Sequence, residues 1–168
     1  MEVFTGEGKG KTSTALGIAL RASGHGRRVH IIFFMKGDFP YGEQKALREL
    51  PNVSFSRFGF RTFVDPANVK PEEKREAEKA LDAAREAMLS LRYDVLILDE
   101  VNVAASWKLI SIEDVLDLVK NKPAKLDMIL TGRYADPRII DIADLVTNMV
   151  KVKHPFDNGV LSRKGIDY

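Results

Sequence analysis

The stretch "TGEGKGKTS", Thr5 to Ser13, limits the possible folds more than any other part of the chain. The segment "MEVF" before it is just long enough for a short strand. After it, Ala15, Leu16, Ile18, Ala19, Leu20 and Ala22 recur at helical spacing up to Gly24, predicting a buried helix from Ser13. A glycine-rich turn from strand to helix is the opening of a strand-helix-strand crossover, and such crossovers build parallel sheets. The later segments repeat the alternation. "RRVHIIFFMK", Arg27 to Lys36, is a continuous apolar run of the kind that forms a parallel strand buried on both faces. "YGEQKALREL" predicts a short helix and "NVSFSRF" a strand, and the stretch from Gly59 to Val69, with Pro66, reads as a loop. Pro71, Glu72 and Glu73 suit the first turn of a long helix, striped by Ala77, Ala80, Leu81, Ala84, Met88 and Leu91. "YDVLILDE" and "LDMILTGR" are buried strands, Ser111 with Glu113 and Asp114 opens a helix between them, "DPRIIDIA" is a short helix and "DLVTNMVKVK" a last strand. The expectation is one α/β domain over residues 1–168, a mostly parallel sheet flanked by helices.

Composition narrows the function classes. The 168 residues contain no cysteine, which removes disulfides, thiolate nucleophiles and cysteine metal sites and suits a reduced cytoplasm. No run approaches the ~18 apolar residues of a membrane span, and the N-terminus lacks the apolar centre of a secretory signal. A net charge of +2 is too small for a nucleic-acid footprint. The first 60 residues nevertheless carry nine Lys/Arg against five Asp/Glu, a local surplus that suits a small polyanion.

The loop specifies that polyanion. A phosphate-binding loop of the Walker type asks for Gly, four residues, then Gly-Lys-Ser/Thr. Gly10, Lys11 and Thr12 supply the second half, while Thr5 stands where the first Gly is expected. Gly6, Gly8 and Gly10 alternate through the loop, so that backbone N–H groups can turn inward and make a nest for phosphate oxygens at a helix N-terminus. The nucleotide contacts expected here are Thr5, Gly6, Glu7, Gly8 and Lys9 from the first half, and Gly10, Lys11, Thr12 and Ser13 from the second. Lys11 adds a point charge, and the Thr12 hydroxyl can ligate Mg²⁺. Asp99 and Glu100, ending the strand in "LILDE", are the acids expected to hold the Mg²⁺ or its water. Thr131 and Arg133 end another strand, and Arg133 is expected to face the nucleotide. No residue after Glu100, in "VNVAAS", declares itself as orienting an attacking water. The P-loop NTPase architecture is thus indicated, with three functions open: group transfer from ATP, a phosphoryl-transfer enzyme or ATPase, and a nucleotide-binding adaptor.

Blocks outside the loop carry a resemblance. "RASGHGRRV" at Arg21, "FMKGDFPYGE" at Phe34, "LDE" at Leu98, "LTGR" at Leu130 and "VKHPFDNGVLSRKGIDY" at Val152 follow in an order that resembles the ATP:corrinoid adenosyltransferases of P-loop type. In that family a Thr at the position of Thr5 is usual. The resemblance implies that reduced Co(I) of a corrinoid attacks the ribose 5′-carbon of ATP and that intact triphosphate leaves. ATP is then the adenosyl donor, the corrinoid the acceptor and Mg²⁺ or Mn²⁺ the metal. It implies Lys11, Thr12 and Glu100 as catalytic residues, Arg21 as a further phosphate contact, and Phe60 and Phe63 at the corrin. A homodimer and a flavoprotein reductant are family expectations. Two departures stand out. The Trp that follows "GF" in the family is absent, with Arg61-Thr62-Phe63 in its place. Many members also have a segment ahead of the first strand that helps cover the substrate, so here either another segment closes the site or the corrinoid is met more openly. His25 and His154 are not expected to ligate cobalt, since Co(I) favours low coordination.

Overall fold

A computed structural model describes residues 1–168. Six strands, β1 (Glu2–Thr5), β2 (Val29–Phe33), β3 (Val53–Arg57), β4 (Val95–Asp99), β5 (Asp127–Thr131) and β6 (Leu145–Asn148), form one sheet in the order β3-β2-β4-β5-β1-β6. Every pairing is parallel, so the sheet is wholly rather than mostly parallel. The helices between them are α1 (Lys11–Gly24), α2 (Gly42–Leu47), α3 (Pro71–Leu89), α4 (Val101–Ser106), α5 (Ile112–Lys120) and α6 (Pro137–Asp141). None is long and apolar enough to cross a membrane.

The continuous apolar runs are explained by two-sided burial. On one face Phe4, Ile31, Phe33, Val95, Ile97 and Ile129 pack with Ala15, Ala19 and Ala22 of α1. On the other, Val3, Ile32, Phe34, Leu96, Leu98, Met128 and Leu130 pack with α3, α4 and α5 through residues such as Ala77, Ala84, Val101 and Leu118. Alternate residues of each central strand serve opposite layers, so both sets must be apolar. The methyl groups of α1 let it lie close to the sheet, while Leu20, expected inside, is exposed.

Several boundaries shift for local reasons. α1 starts at Lys11, not Ser13, because Gly10 takes a left-handed φ of 113° and caps it. β2 stops at Phe33, and Met35 turns the chain at φ 55°. α3 ends at Leu89; Leu91 is left-handed at φ 55° and exposed, so it is not part of the buried stripe. α4 was not indicated by "VNVAAS", whose β-branched residues are poor helix formers. β6 ends at Asn148, and the chain then leaves the sheet across the glycine-rich loop.

His30 on β2 is the one buried histidine. Its Nδ1 lies 2.8 Å from Ser54 Oγ and its ring stacks on Tyr93 at 4.7 Å between centroids. Burial, with the Arg92 charge nearby, pulls its pKa down from 6.5 to about 4. The unfolded chain therefore binds this proton more readily, and the contribution of neutral His30 is complete above pH 6.5 and lost as pH falls towards 4. The loss reaches about 3 kcal/mol at its limit. Urea unfolding of His30→Phe should show a shallower decline over that window than the parent protein; an identical slope would contradict this.

Candidate active site

β1 delivers the chain into the loop and α1 takes it out, so the loop sits at the carboxyl ends of the strands, where open parallel sheets bind ligands. Its glycines have two separate reasons. Gly6 and Gly10 have φ of 96° and 113°, which residues with a Cβ resist. Gly6 and Gly8 also lie against the chain leaving β6. Met149 N–H donates to the Thr5 carbonyl at 2.8 Å, and Gly8 N–H donates to the Met149 carbonyl at 2.6 Å. A Cβ on Gly8 would stand 2.7 Å from the Val150 carbonyl oxygen. The Gly8 N–H is thus committed to Met149 rather than free for phosphate, which corrects part of the expected nest. The Thr5 hydroxyl is likewise turned to the Ala135 N–H at 3.4 Å, away from the cavity that the second half of the loop lines.

That cavity, about 420 Å³, is walled by the loop from Gly8 to Ser13, by Lys36, Tyr41, Phe63, Glu100 and Arg133, and by C-terminal residues from His154 to Asp167. Lys11 Nζ donates to the carbonyls of Gly6 and Gly8, both at 2.7 Å, and makes no ion pair. Burial lowers its pKa, opposed by the charge of Glu100. Lys9 pairs with Asp167 of the tail. Arg133 lies 3.5 Å from Glu7, half exposed at the cavity rim. Glu7 itself falls in the neighbouring hollow with Arg133 and Lys151.

The two acids have different surroundings. Asp99 is buried, its Oδ1 accepts from Thr131 Oγ1 at 2.7 Å and its Oδ2 from Lys36 Nζ at 2.7 Å. With both oxygens held by protein donors, Asp99 is not placed as a metal ligand, contrary to expectation. Glu100 sits at a left-handed φ of 64° where β4 meets α4, pinned by its N–H donating to Thr131 Oγ1 at 2.9 Å. Gly132 leaves room beside its carboxylate: a Cβ there would lie 3.2 Å from Oε2. Burial, followed by the charge of Asp99, raises the Glu100 pKa, and its carboxylate makes no ion pair. Thr12 and Glu100 thus offer two oxygen donors in one cavity, the donor type Mg²⁺ prefers. No cluster of three or more His, Cys, Asp or Glu is present, so such an ion would take its remaining ligands from phosphates and water.

Other expected residues divide. Phe63 is 81% exposed at the mouth, 6.2 Å from the Phe39 ring, and Phe60 is 43% exposed, so neither is core packing. Phe39 also meets Tyr41 and Tyr168 at 4.8 and 5.2 Å, which makes an aromatic cluster at the opening. Gly37 and Gly59 interlock there: a Cβ on Gly37 would lie 2.3 Å from the Gly59 carbonyl oxygen, and Gly59 N–H donates to Glu76 at 3.2 Å. Arg21 is not brought to the site. Ten residues beyond Lys11 on α1, it is displaced by about 15 Å of helix rise and lines a different hollow with His25, Met1 and Asp127. His154 reaches the cavity wall, where its Nδ1 accepts from Phe156 N–H at 3.1 Å. Lys36 and Tyr41 were missed; the only sign of them was the "KGDFPYGE" block, which carried no assigned chemistry.

Comparison with known proteins identifies the family of the chain. A family model described as ATP:corrinoid adenosyltransferase BtuR/CobO/CobP matches residues 1–168. The chain is 34% identical over 166 residues to a corrinoid adenosyltransferase of Escherichia coli, covering 99% of this chain and 84% of that protein. It is 36% identical over 171 residues to one of Salmonella typhimurium, with the same two coverages, and 32% identical over 169 residues to one of Sinorhizobium, of which it covers 78%. Matched along its whole length by proteins of one activity, the chain belongs to the ATP:corrinoid adenosyltransferase family.

Proposed function

We propose that the cavity over the glycine-rich loop is where this chain moves the 5′-deoxyadenosyl group of ATP to a reduced corrinoid. The observation that carries this is the cavity's mixed chemistry: cations and a carboxylate beside the loop, and Tyr41 with the exposed Phe63 on its wall, backed by the half-buried Phe39 and Tyr168. The polar end suits a triphosphate and the aromatic end a flat macrocycle. The Co(I) electron pair forms the bond to the 5′-carbon, and the C–O bond breaks with its electrons on the departing triphosphate. Lys11 and the loop N–H groups stabilise that growing charge, worth most where water is excluded. Thr12 and Glu100 would hold Mg²⁺ or Mn²⁺, which would draw further charge from the same oxygens. No protein nucleophile is needed because the acceptor brings the reacting atom.

Phe63, and Phe60 on the Gly37–Gly59 lock, would meet the corrin and keep water from the reacting face. Phe60→Ala and Phe63→Ala should each lower corrinoid turnover at least tenfold while leaving ATP affinity within about twofold. Parallel rate measurements and ATP titrations separate the two effects; equal losses in both would reduce the aromatic mouth to a structural feature. The Lys9–Asp167 pair brings the tail over the loop, where the tail would help to cover the bound nucleotide. A homodimer and a flavoprotein that delivers the electron remain part of this reading by family likeness.

A further inference from the structure

Lys36 is a largely buried charge whose only ion-pair partner is Asp99. Its side chain is only 12% exposed and lines the loop cavity. Met35 turns the chain at φ 55° to bring it in, and Lys36 N–H donates to the Phe58 carbonyl at 2.9 Å. Its ammonium lies 5.5 Å from the Phe33 ring centroid and 5.1 Å from that of Tyr41. Of its three N–H donors, one bonds Asp99 Oδ2 at 2.7 Å and one points to Thr12 Oγ1 at 3.4 Å. An ion pair this deep gives little net stability over apolar residues of the same size, so stability is a weak reason for keeping it. Asp99 in turn is held by Thr131, whose hydroxyl also accepts the Glu100 N–H. The relay Thr131–Asp99–Lys36 therefore aims an ammonium at the hydroxyl of Thr12, the first-turn residue of α1.

We propose that Lys36 is a second phosphate-binding lysine, contacting the triphosphate of ATP beside Thr12, and that Asp99 is the positioning residue that holds it there. This rests on the reading of the loop cavity as the ATP site. It gives the "KGDFPYGE" block a double role, with Lys36 on the phosphate and Gly37 locked to the loop that carries Phe60.

The test uses inorganic tripolyphosphate, the leaving group itself, titrated calorimetrically into the full chain with Mg²⁺ and no corrinoid. Lys36→Met alone would leave Asp99 buried without its partner and could fail to fold. The decisive variant is Lys36→Gln combined with Asp99→Asn, which removes both charges and keeps a hydrogen-bonded pair of similar shape. It should melt close to the parent protein and bind tripolyphosphate at least tenfold more weakly. Binding restored to within twofold would mean that Lys36 only neutralises Asp99, and the proposal would fall. Lys11→Ala run alongside separates the two layers: weak binding there with normal binding in the double variant overturns the role of Lys36 alone. Normal binding in both overturns the ATP site as well.

Discussion

Replacing Lys11 by alanine is expected to lower adenosyl transfer by at least about 100-fold, the scale of losing one preorganised charge-stabilising donor. The reason is local. Lys11 is 7% exposed, has no carboxylate partner, and spends its donors only on the carbonyls of Gly6 and Gly8. Its charge is thus left over for a ligand, and a triphosphate leaving with its full charge needs it more in the transition state than in the bound substrate. The loss should therefore fall mainly on kcat at saturating ATP and corrinoid. Thermal melting should move by only a few degrees, because the loop remains tied to Met149 through backbone bonds. Full activity in the variant would place the triphosphate elsewhere.

Gly6→Ala should act on folding before it acts on chemistry. At φ 96° alanine is strained, and its Cβ would lie 2.1 Å from Asn148 Oδ1 and 2.6 and 2.8 Å from the backbone oxygen and nitrogen of Met149. The Asn148 side chain can rotate away, whereas the Met149 backbone is hydrogen-bonded to Thr5 and Gly8 on both sides. Strain and overpacking each cost roughly 1–3 kcal/mol, so a loss of several kcal/mol in urea unfolding is the expected result. Gly17, exposed in the middle of α1 with nothing within 4 Å of an added Cβ, provides the contrast. Gly17→Ala should stabilise by roughly 0.5–1 kcal/mol. Similar effects at the two positions would mean that the chain leaving β6 does not cross the loop as described.

The central layers of the fold were legible in the sequence because "VHIIFF" and "VLILD" are apolar on both faces except at His30 and Asp99, the pattern of strands buried on both sides in a parallel sheet. The loop's place was legible because a glycine-rich stretch ending in GKT follows a short apolar segment and precedes an apolar helical pattern, as β1 and α1 bear out. What could not be read was tertiary. Asp99 and Glu100 are adjacent and look equivalent, yet Lys36 from a distant segment neutralises the first and leaves the second free. Arg21 shares α1 with Lys11, but helix rise carries it to the other end of the sheet. Gly8 looked like a phosphate ligand, and its N–H belongs to Met149, 141 positions later. α4 was hidden for a related reason: burial of Val101, Val103 and Ala104 in the core overrides the weak helix preference of their segment.

The measurement that bears most directly on this account is the fate of the triphosphate. The purified chain, MgATP and chemically reduced cobalamin would be mixed without oxygen, the corrinoid spectrum followed, and the phosphate products separated. Adenosylcobalamin with one intact tripolyphosphate per turnover is the predicted result, because in the proposed reading the loop end of the cavity would hold the phosphates while carbon is attacked at the aromatic end. ADP and phosphate with the corrinoid unchanged would contradict it and make the loop a site of phosphoryl transfer.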